Sequence, residues 1–150
     1  MRAMRRALPD QAARSERIWA TVTGLDAVVR AHTVMLFTSL VGEPDTAPFI
    51  VWCKERGKRV VVPEEQPDPT AVDVVIVPGV AFTPDGARLG QGGGWYDRFL
   101  AAVRPECVSI GVGFDAQVVD VLPTEPHDIP LHTIVTESGA LARRLSIGSS

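Results

Sequence analysis

Short apolar runs alternate along this chain with stretches of helical spacing. Residues 33–37 (TVMLF), 59–62 (RVVV), 72–77 (VDVVIV), 108–112 (VSIGV) and 132–135 (HTIV) are rich in β-branched side chains. That is the pattern of strands buried on both faces of a parallel sheet. Residues 1–30 read as helical, with Ala12, Ile18, Trp19, Val22 and Leu25 roughly on one face and the arginines largely elsewhere. Asp45 or Thr46 is suited to cap a helix over residues 48–56, which Gly57 ends. Residues 95–100 (WYDRFL) have helical spacing, residues 118–122 read as a short ordered segment, and a closing helix is predicted over 139–145. The polar, proline-rich residues 64–70 form a surface connection, and 123–130 an irregular loop.

Strands alternating with helices predict an α/β fold: a three-layer, open, mostly parallel sheet with helices on both faces. A single domain is expected over residues 1–150, with a helical N-terminal segment (1–30) and a sheet core (31–146). Ligands of such sheets gather at the carboxyl ends of the strands. The loops at residues 38–43, 83–94 and 124–130 are therefore expected to converge.

The middle loop carries the most chemistry. Pro78-Gly79 ends a strand, and Thr83-Pro84-Asp85-Gly86 reads as a tight turn. Arg88-Leu89-Gly90-Gln91-Gly92-Gly93-Gly94 then leads into the helix at residue 95. A glycine-rich loop feeding a helix start offers free N–H groups and a positive dipole end to an anion, most often phosphate. The same glycines equally suit a cramped strand-to-helix turn. No Gly-Lys-Ser/Thr closes the loop, and it is not a G-x-G-x-x-G fingerprint. Arg88 is able to pair with phosphate oxygens. Asp97, at the helix start, suits Mg²⁺ when phosphates supply further oxygens, or simply complements the dipole. Asp128, set between prolines, reads either as a metal-holding carboxylate or as a turn residue. Glu43 and His127 read as site residues or as solvated surface groups.

PGVAFTPDGARLGQGGGWYDRFL closely resembles the signature of the 5-formyltetrahydrofolate cyclo-ligase (5,10-methenyltetrahydrofolate synthetase) family. That signature runs, loosely, P-G-x-x-F-x-x-x-G-x-R-L-G-x-G-x-G-Y-Y-D-x-x-L, and the main departure is Trp95, where the family usually has Tyr. The resemblance extends over most of the chain from about Ser15. It implies an enzyme that uses ATP and Mg²⁺ to convert 5-formyltetrahydrofolate to 5,10-methenyltetrahydrofolate through a phosphorylated formyl intermediate. By the same resemblance Arg88, Leu89, Gly90, Gln91, Gly92, Gly93, Gly94, Trp95 and Tyr96 wrap the ATP phosphates, with Arg88 and Tyr96 catalytic. The folate is bordered by Gln91, Gly92, Gly93, Gly94 and Trp95, with Glu43 and Thr38, the latter replacing an apolar residue. Asp97 and Asp128 match the Mg²⁺ positions.

Two family features differ. A Lys-x-x-x-Arg-like pair on the first helix is expected to reach ATP, and Arg2 or Arg5 is the available substitute. The family also has a much longer stretch, ending in a Gly-Ile-x-Glu-Pro-like segment, where residues 64–71 connect two strands here. The pterin half of the site is therefore expected to be cut down. Alternatives to the cyclo-ligase are a paralogue that activates another small amide or carboxylate with ATP, and a non-catalytic nucleotide- or folate-binding protein.

Composition narrows this modestly. A net charge of −3 without a basic stripe beyond the N-terminus argues against a nucleic-acid surface. No apolar run approaches a membrane span, and the N-terminus lacks the apolar core of a signal peptide. Cys53 and Cys107 form no metal-spaced cluster, so buried free thiols in a reducing cytoplasm are expected. The expected assembly is a monomer or homodimer.

Overall fold

The computed structural model describes residues 10–90 and 94–142. Its centre is a six-stranded sheet built from β1 (Thr33–Met35), β2 (Arg59–Val61), β3 (Val74–Val77), β6 (Val108–Val112), β7 (Thr133–Thr136) and β8 (Gly139–Ala142). Strand order is β2-β1-β3-β6-β7-β8, parallel throughout except for antiparallel β8 at the edge. A separate hairpin, β4 (Ala81–Phe82) with β5 (Arg88–Leu89), follows β3. The helices are α1 (Gln11–Val22), α2 (Asp26–Arg30), α3 (Ala47–Glu55) and α4 (Trp95–Ala102).

Both faces of the sheet are covered, because β3 reads Val-Val-Ile-Val and every one of these residues is buried. Val74 and Ile76 meet Ile18, Trp19 and Val22 of α1, Val28 of α2, and Phe49 and Cys53 of α3. Val75 and Val77 fall in the opposite cluster with Phe82, Phe99 and Leu100, from the hairpin and α4. The three-layer α/β architecture expected from the alternating runs is the one observed. Cys53 and Cys107 are buried and unpaired on opposite faces, and burial pushes each thiol up to about 11.

Several elements differ from those expected along the chain. Of the helix predicted over 139–145, residues 139–142 instead form β8, folded back on β7 through a turn at residues 137 and 138, and residues 143–145 lie outside the described residues. The segment has good helix formers, but β7 would otherwise be left with an unpaired edge, and tertiary pairing overrides propensity. Gly139, at φ 121, takes the backbone conformation this reversal needs. The helical stretch over 1–30 breaks between α1 and α2, where the Thr23 hydroxyl donates to Trp19 O at 2.8 Å and competes with the helix ladder. Residues 1–9 lie outside the described residues. The ordered segment expected at 118–122 is a 3₁₀ turn at Asp115–Gln117 followed by a single bridge from Val118 to Phe82. The hairpin itself was not foreseen, although its tip was. Gly86 N donates to Thr83 O at 3.0 Å, and a Cβ on Gly86 would lie 2.3 Å from Leu131 O.

Gly111 in β6 and Gly113 just after it admit the hairpin. A Cβ at Gly111 would stand 2.7 Å from Leu131 Cδ1 and 2.8 Å from Phe82 Cε1, and one at Gly113 would stand 2.8 Å from Phe82 Cε2. Phe82 thus lies against bare backbone and is fully buried. Gly111→Ala is expected to lower stability by about 1–3 kcal/mol through overpacking, measured as a shift in urea midpoint with the slope unchanged.

At the other end of the sheet Asp73 fastens β3 to β1. Its Oδ2 accepts from the N–H groups of His32 (2.9 Å) and Thr33 (3.0 Å), and its Oδ1 from Arg104 Nη2 at 2.5 Å. Burial alone would raise the carboxyl, but these donors outweigh it and hold the group below the usual carboxylate range. A depressed folded-state pKa stabilises above the unfolded value and is lost as pH falls through the folded one. Asp73→Ala should cost about 1–3 kcal/mol at neutral pH. The gap from wild type should narrow below about pH 4, as followed by urea unfolding across pH.

Candidate active site

The segments leaving the carboxyl ends of β1, β2, β3 and β6 meet at a cavity of about 1040 Å³. Thr38, Leu40 and Glu43 come from the loop after β1, Pro63, Glu64 and Gln66 from the connection after β2, and Pro78 and Gly79 from the end of β3. Arg88, Leu89 and Gly90 arrive on the hairpin, and Gly94, Trp95, Tyr96, Asp97 and Arg98 on the start of α4. Pro123, Glu125, His127 and Asp128 close it from the late loop. Leu40 and Leu89, 60% and 43% exposed, add apolar surface to this wall.

The loop after β1 is built to bury a carboxylate. Glu43 N donates to Leu40 O, and Leu40 N returns a bond to Glu43 Oε1, both at 2.9 Å, while Gly42 takes φ 88. Glu43 is 8% exposed, and its charge acts on both Arg88 and Tyr96.

Arg88 occupies the centre. Its Nε donates to Pro78 O at 2.5 Å and its guanidinium carbon lies 4.8 Å from the Tyr96 ring centroid. Burial lowers its pKa, and Tyr96, Asp97 and Glu43 work against that. A guanidinium starts high enough to remain a cation here. Burial also pushes the Tyr96 phenol well above its ordinary range, with Arg88 partly offsetting it, so Tyr96 is a neutral hydroxyl at physiological pH. Trp95 stacks on Phe99 at 5.2 Å and meets Tyr96 edge-on at 5.1 Å, so its ring also braces the underside of α4. A Cβ at Gly90 would come 2.7 Å from Arg88 Nη2, so a side chain there would crowd the guanidinium.

The two aspartates stand in the same cavity wall. Asp97 Oδ1 accepts from Ile129 N at 3.0 Å, tying α4 to the late loop. Asp128 Oδ2 accepts from Glu125 N at 2.8 Å, and His127 Nε2 stands 3.5 Å from Asp128 Oδ1. Arg88, Asp97, Glu125 and Asp128 also line a second cavity of about 360 Å³, so these four side chains are common to both. Among the described residues no group of three or more His, Cys, Asp or Glu is gathered to hold a metal by itself. Two carboxylates, each with one oxygen committed to a backbone N–H, fit a hard cation that completes its shell with phosphate oxygens and water.

Of the residues singled out from sequence, Thr38, Glu43, Arg88, Leu89, Gly90, Gly94, Trp95, Tyr96, Asp97 and Asp128 come together around the larger cavity. Gln91, Gly92, Gly93, Arg2 and Arg5 lie outside the described residues. Pro63, Glu64, Gln66 and Glu125 were missed as wall residues. For the first three the usable signal was their position, just past the carboxyl end of β2, rather than their composition. The short connection therefore does reach the cavity.

Gly94, the residue before α4, has φ 66, and a Cβ there would lie 3.3 Å from Arg98 Nη1. Gly94→Val is expected to lower stability by about 1–2 kcal/mol, since a branched side chain is strained at that φ. Urea unfolding checks this, and an unchanged midpoint would show that the turn into α4 tolerates a side chain.

The family model described as the 5-formyltetrahydrofolate cyclo-ligase family matches residues 64–137. The 5-formyltetrahydrofolate cyclo-ligase of Escherichia coli K12 is 36% identical over 147 positions, which take in 74% of this chain and 81% of that protein. The cyclo-ligase of Mycolicibacterium smegmatis is 40% identical over 73 residues, covering 48% of this chain and 38% of that one. Among solved structures, the 5,10-methenyltetrahydrofolate synthetase of Aquifex aeolicus superposes with a TM-score of 0.81 at 27% identity, covering 96% of this chain and 89% of its own. The synthetase of Mycoplasma pneumoniae gives 0.78 at 24% identity over 90% and 93%, a likeness of fold.

Proposed function

The chain belongs to the 5-formyltetrahydrofolate cyclo-ligase family, and from that premise we propose that it closes 5-formyltetrahydrofolate to 5,10-methenyltetrahydrofolate at the expense of ATP. The observation that carries this reading is the shared wall of Arg88, Asp97, Glu125 and Asp128 between two cavities. A reaction that joins a phosphate donor to a second substrate needs charged groups where the two meet.

The chemistry follows from the formamide. Its oxygen is a poor leaving group and its carbon a weak electrophile. Attack of that oxygen on the terminal phosphorus of ATP, with release of ADP, converts it to a phosphate ester. The neighbouring amine nitrogen then adds to the activated carbon and gives up its proton to the departing phosphate or to water, the C–O bond breaks, and inorganic phosphate leaves as the methenyl bridge forms. Arg88 is the cation for the transferring phosphoryl group. Its guanidinium is held at Nε by Pro78 and faced by Tyr96, so little reorganisation accompanies the charge shift. Tyr96, a neutral phenol, donates a hydrogen bond rather than accepting a proton. Gly90 and Gly94 leave bare backbone for the phosphates, and a side chain at Gly90 would fill space beside the guanidinium. Asp97 and Asp128 would hold Mg²⁺, which supplies charge screening to the phosphates.

The larger cavity suits the folate, with Leu40, Leu89 and Trp95 offering apolar surface to its rings and Glu43 a buried acceptor. Pro63, Glu64 and Gln66 take the place of the longer family segment in that wall. Excluding water there protects the phosphorylated intermediate from hydrolysis. The two unpaired buried thiols suit a reducing cytoplasm.

Mixing the protein with 5-formyltetrahydrofolate, ATP and Mg²⁺ should produce the absorbance of methenyltetrahydrofolate, and no product under any ratio of the three would sink the reading. Asp97→Asn and Asp128→Asn each keep an oxygen for the backbone N–H of Ile129 or Glu125. Each should fold normally and lose roughly 100-fold or more in kcat.

A further inference from the structure

Gln117 lines neither cavity, yet it is 1% exposed and every polar atom of its head is used. Its Nε2 donates to Gly79 O at 2.8 Å and to Val80 O at 3.1 Å, and its Oε1 accepts from Phe114 N at 2.9 Å. The amide orientation is settled by these partners, since a flipped head would set oxygen against two carbonyls. Gly113 makes room for it: a Cβ there would stand 2.9 Å from Gln117 Oε1.

The segment it grips is the one that holds Arg88. Pro78 O accepts from Arg88 Nε at 2.5 Å, and Val80 N donates to Leu89 O at 2.7 Å. Residues 78–80 therefore contact β5 on both sides of Gly79, while Gln117 fixes the two carbonyls that follow Pro78. Without Gln117, the carbonyls of Gly79 and Val80 and the N–H of Phe114 would each lose the buried bond that this one head supplies. The two carbonyls would shift toward other donors, and the backbone that turns with them carries Pro78 O along.

We propose that Gln117 is a positioning residue for Arg88: it acts through the Pro78–Val80 segment to keep the guanidinium over Tyr96 and aimed between the two cavities. The proposal rests on the role given to Arg88 above. Gln is the residue type required, because one planar head must donate to two carbonyls and accept from an N–H. Glu would present lone pairs to both carbonyls, and Met would satisfy none of the three groups.

Tyr96 is the one tyrosine of the chain, so ¹³C-tyrosine labelling yields a single set of ring resonances. Gln117→Met, Arg88→Lys and the double variant are compared with wild type by these resonances, by thermal unfolding, and by turnover. Expected for folded Gln117→Met is displacement of the Tyr96 ring signals in the same sense as Arg88→Lys, with little further change in the double variant. Its kcat should fall about tenfold while KM for 5-formyltetrahydrofolate stays within about threefold, and the kcat losses of the two single variants should not add. Unchanged Tyr96 resonances, an unchanged kcat, or additive losses in folded protein would overturn the proposal. Should Gln117→Met fail to fold, Gln117→Glu, which keeps the acceptor for Phe114, carries the same comparison. Failure of both to fold would make Gln117 structural and also overturn it. The resonance comparison needs no turnover, so a wild-type protein without cyclo-ligase activity would sink the functional reading while leaving this test intact.

Discussion

A guanidinium held inside the protein sets the terms for the rest of this site. Arg88 is largely out of water, and such a charge is tolerated only when it is hydrogen-bonded and surrounded by compensating groups. Pro78 O, the face of Tyr96, and the carboxylates of Asp97 and Glu43 supply that compensation. They arrive on three elements: Pro78 at the end of β3, Tyr96 and Asp97 in the first turn of α4, and Glu43 in the loop after β1. The sheet brings them together, and the charge gives the gathered loops a reason to stay in place.

The hairpin that carries Arg88 is itself anchored by close packing rather than by propensity. Two-residue strands have little stability of their own. Phe82 lies against Gly79, Gly111 and Gly113, where any side chain would intrude, and Val119 N donates to Phe82 O at 2.8 Å. Glycines in and just beyond the central strands therefore serve the site at one remove: they let a ring approach the sheet and thereby fix the turn from which the cation extends. The same economy of space recurs at Gly86, whose bare Cα admits the backbone of Leu131.

Opposite the cation, the late loop is tied back by the aspartates it works with. Asp97 reaches from α4 to Ile129, and Asp128 closes its own turn on Glu125. A carboxylate so engaged has one oxygen fixed by a backbone N–H, and the loop is held with it. This explains how an irregular, proline-rich loop holds its place beside a charged cavity.

Periodicity and local composition determined much of this protein without tertiary information. Unbroken β-branched runs require burial on both faces, which dictates a parallel sheet between two helical layers, and the glycine-rich stretch ending at Gly94 announces a backbone-lined turn into α4. The residues from Arg88 to Asp97, with Glu43 and Asp128, could be singled out because their side-chain types and their resemblance to a family motif are local properties. Tertiary structure decided what depends on distant partners. The segment 139–145 has helix-forming residues, yet its described part pairs with β7 because a bare strand edge outweighs a few tenths of a kcal/mol of propensity per residue. Glu64 and Gln66 looked like solvated residues of a polar connection until the end of β2 carried them to the cavity wall. Gln117 had no sequence signal, since an amide gains its meaning only from the two carbonyls and the N–H that folding sets around it.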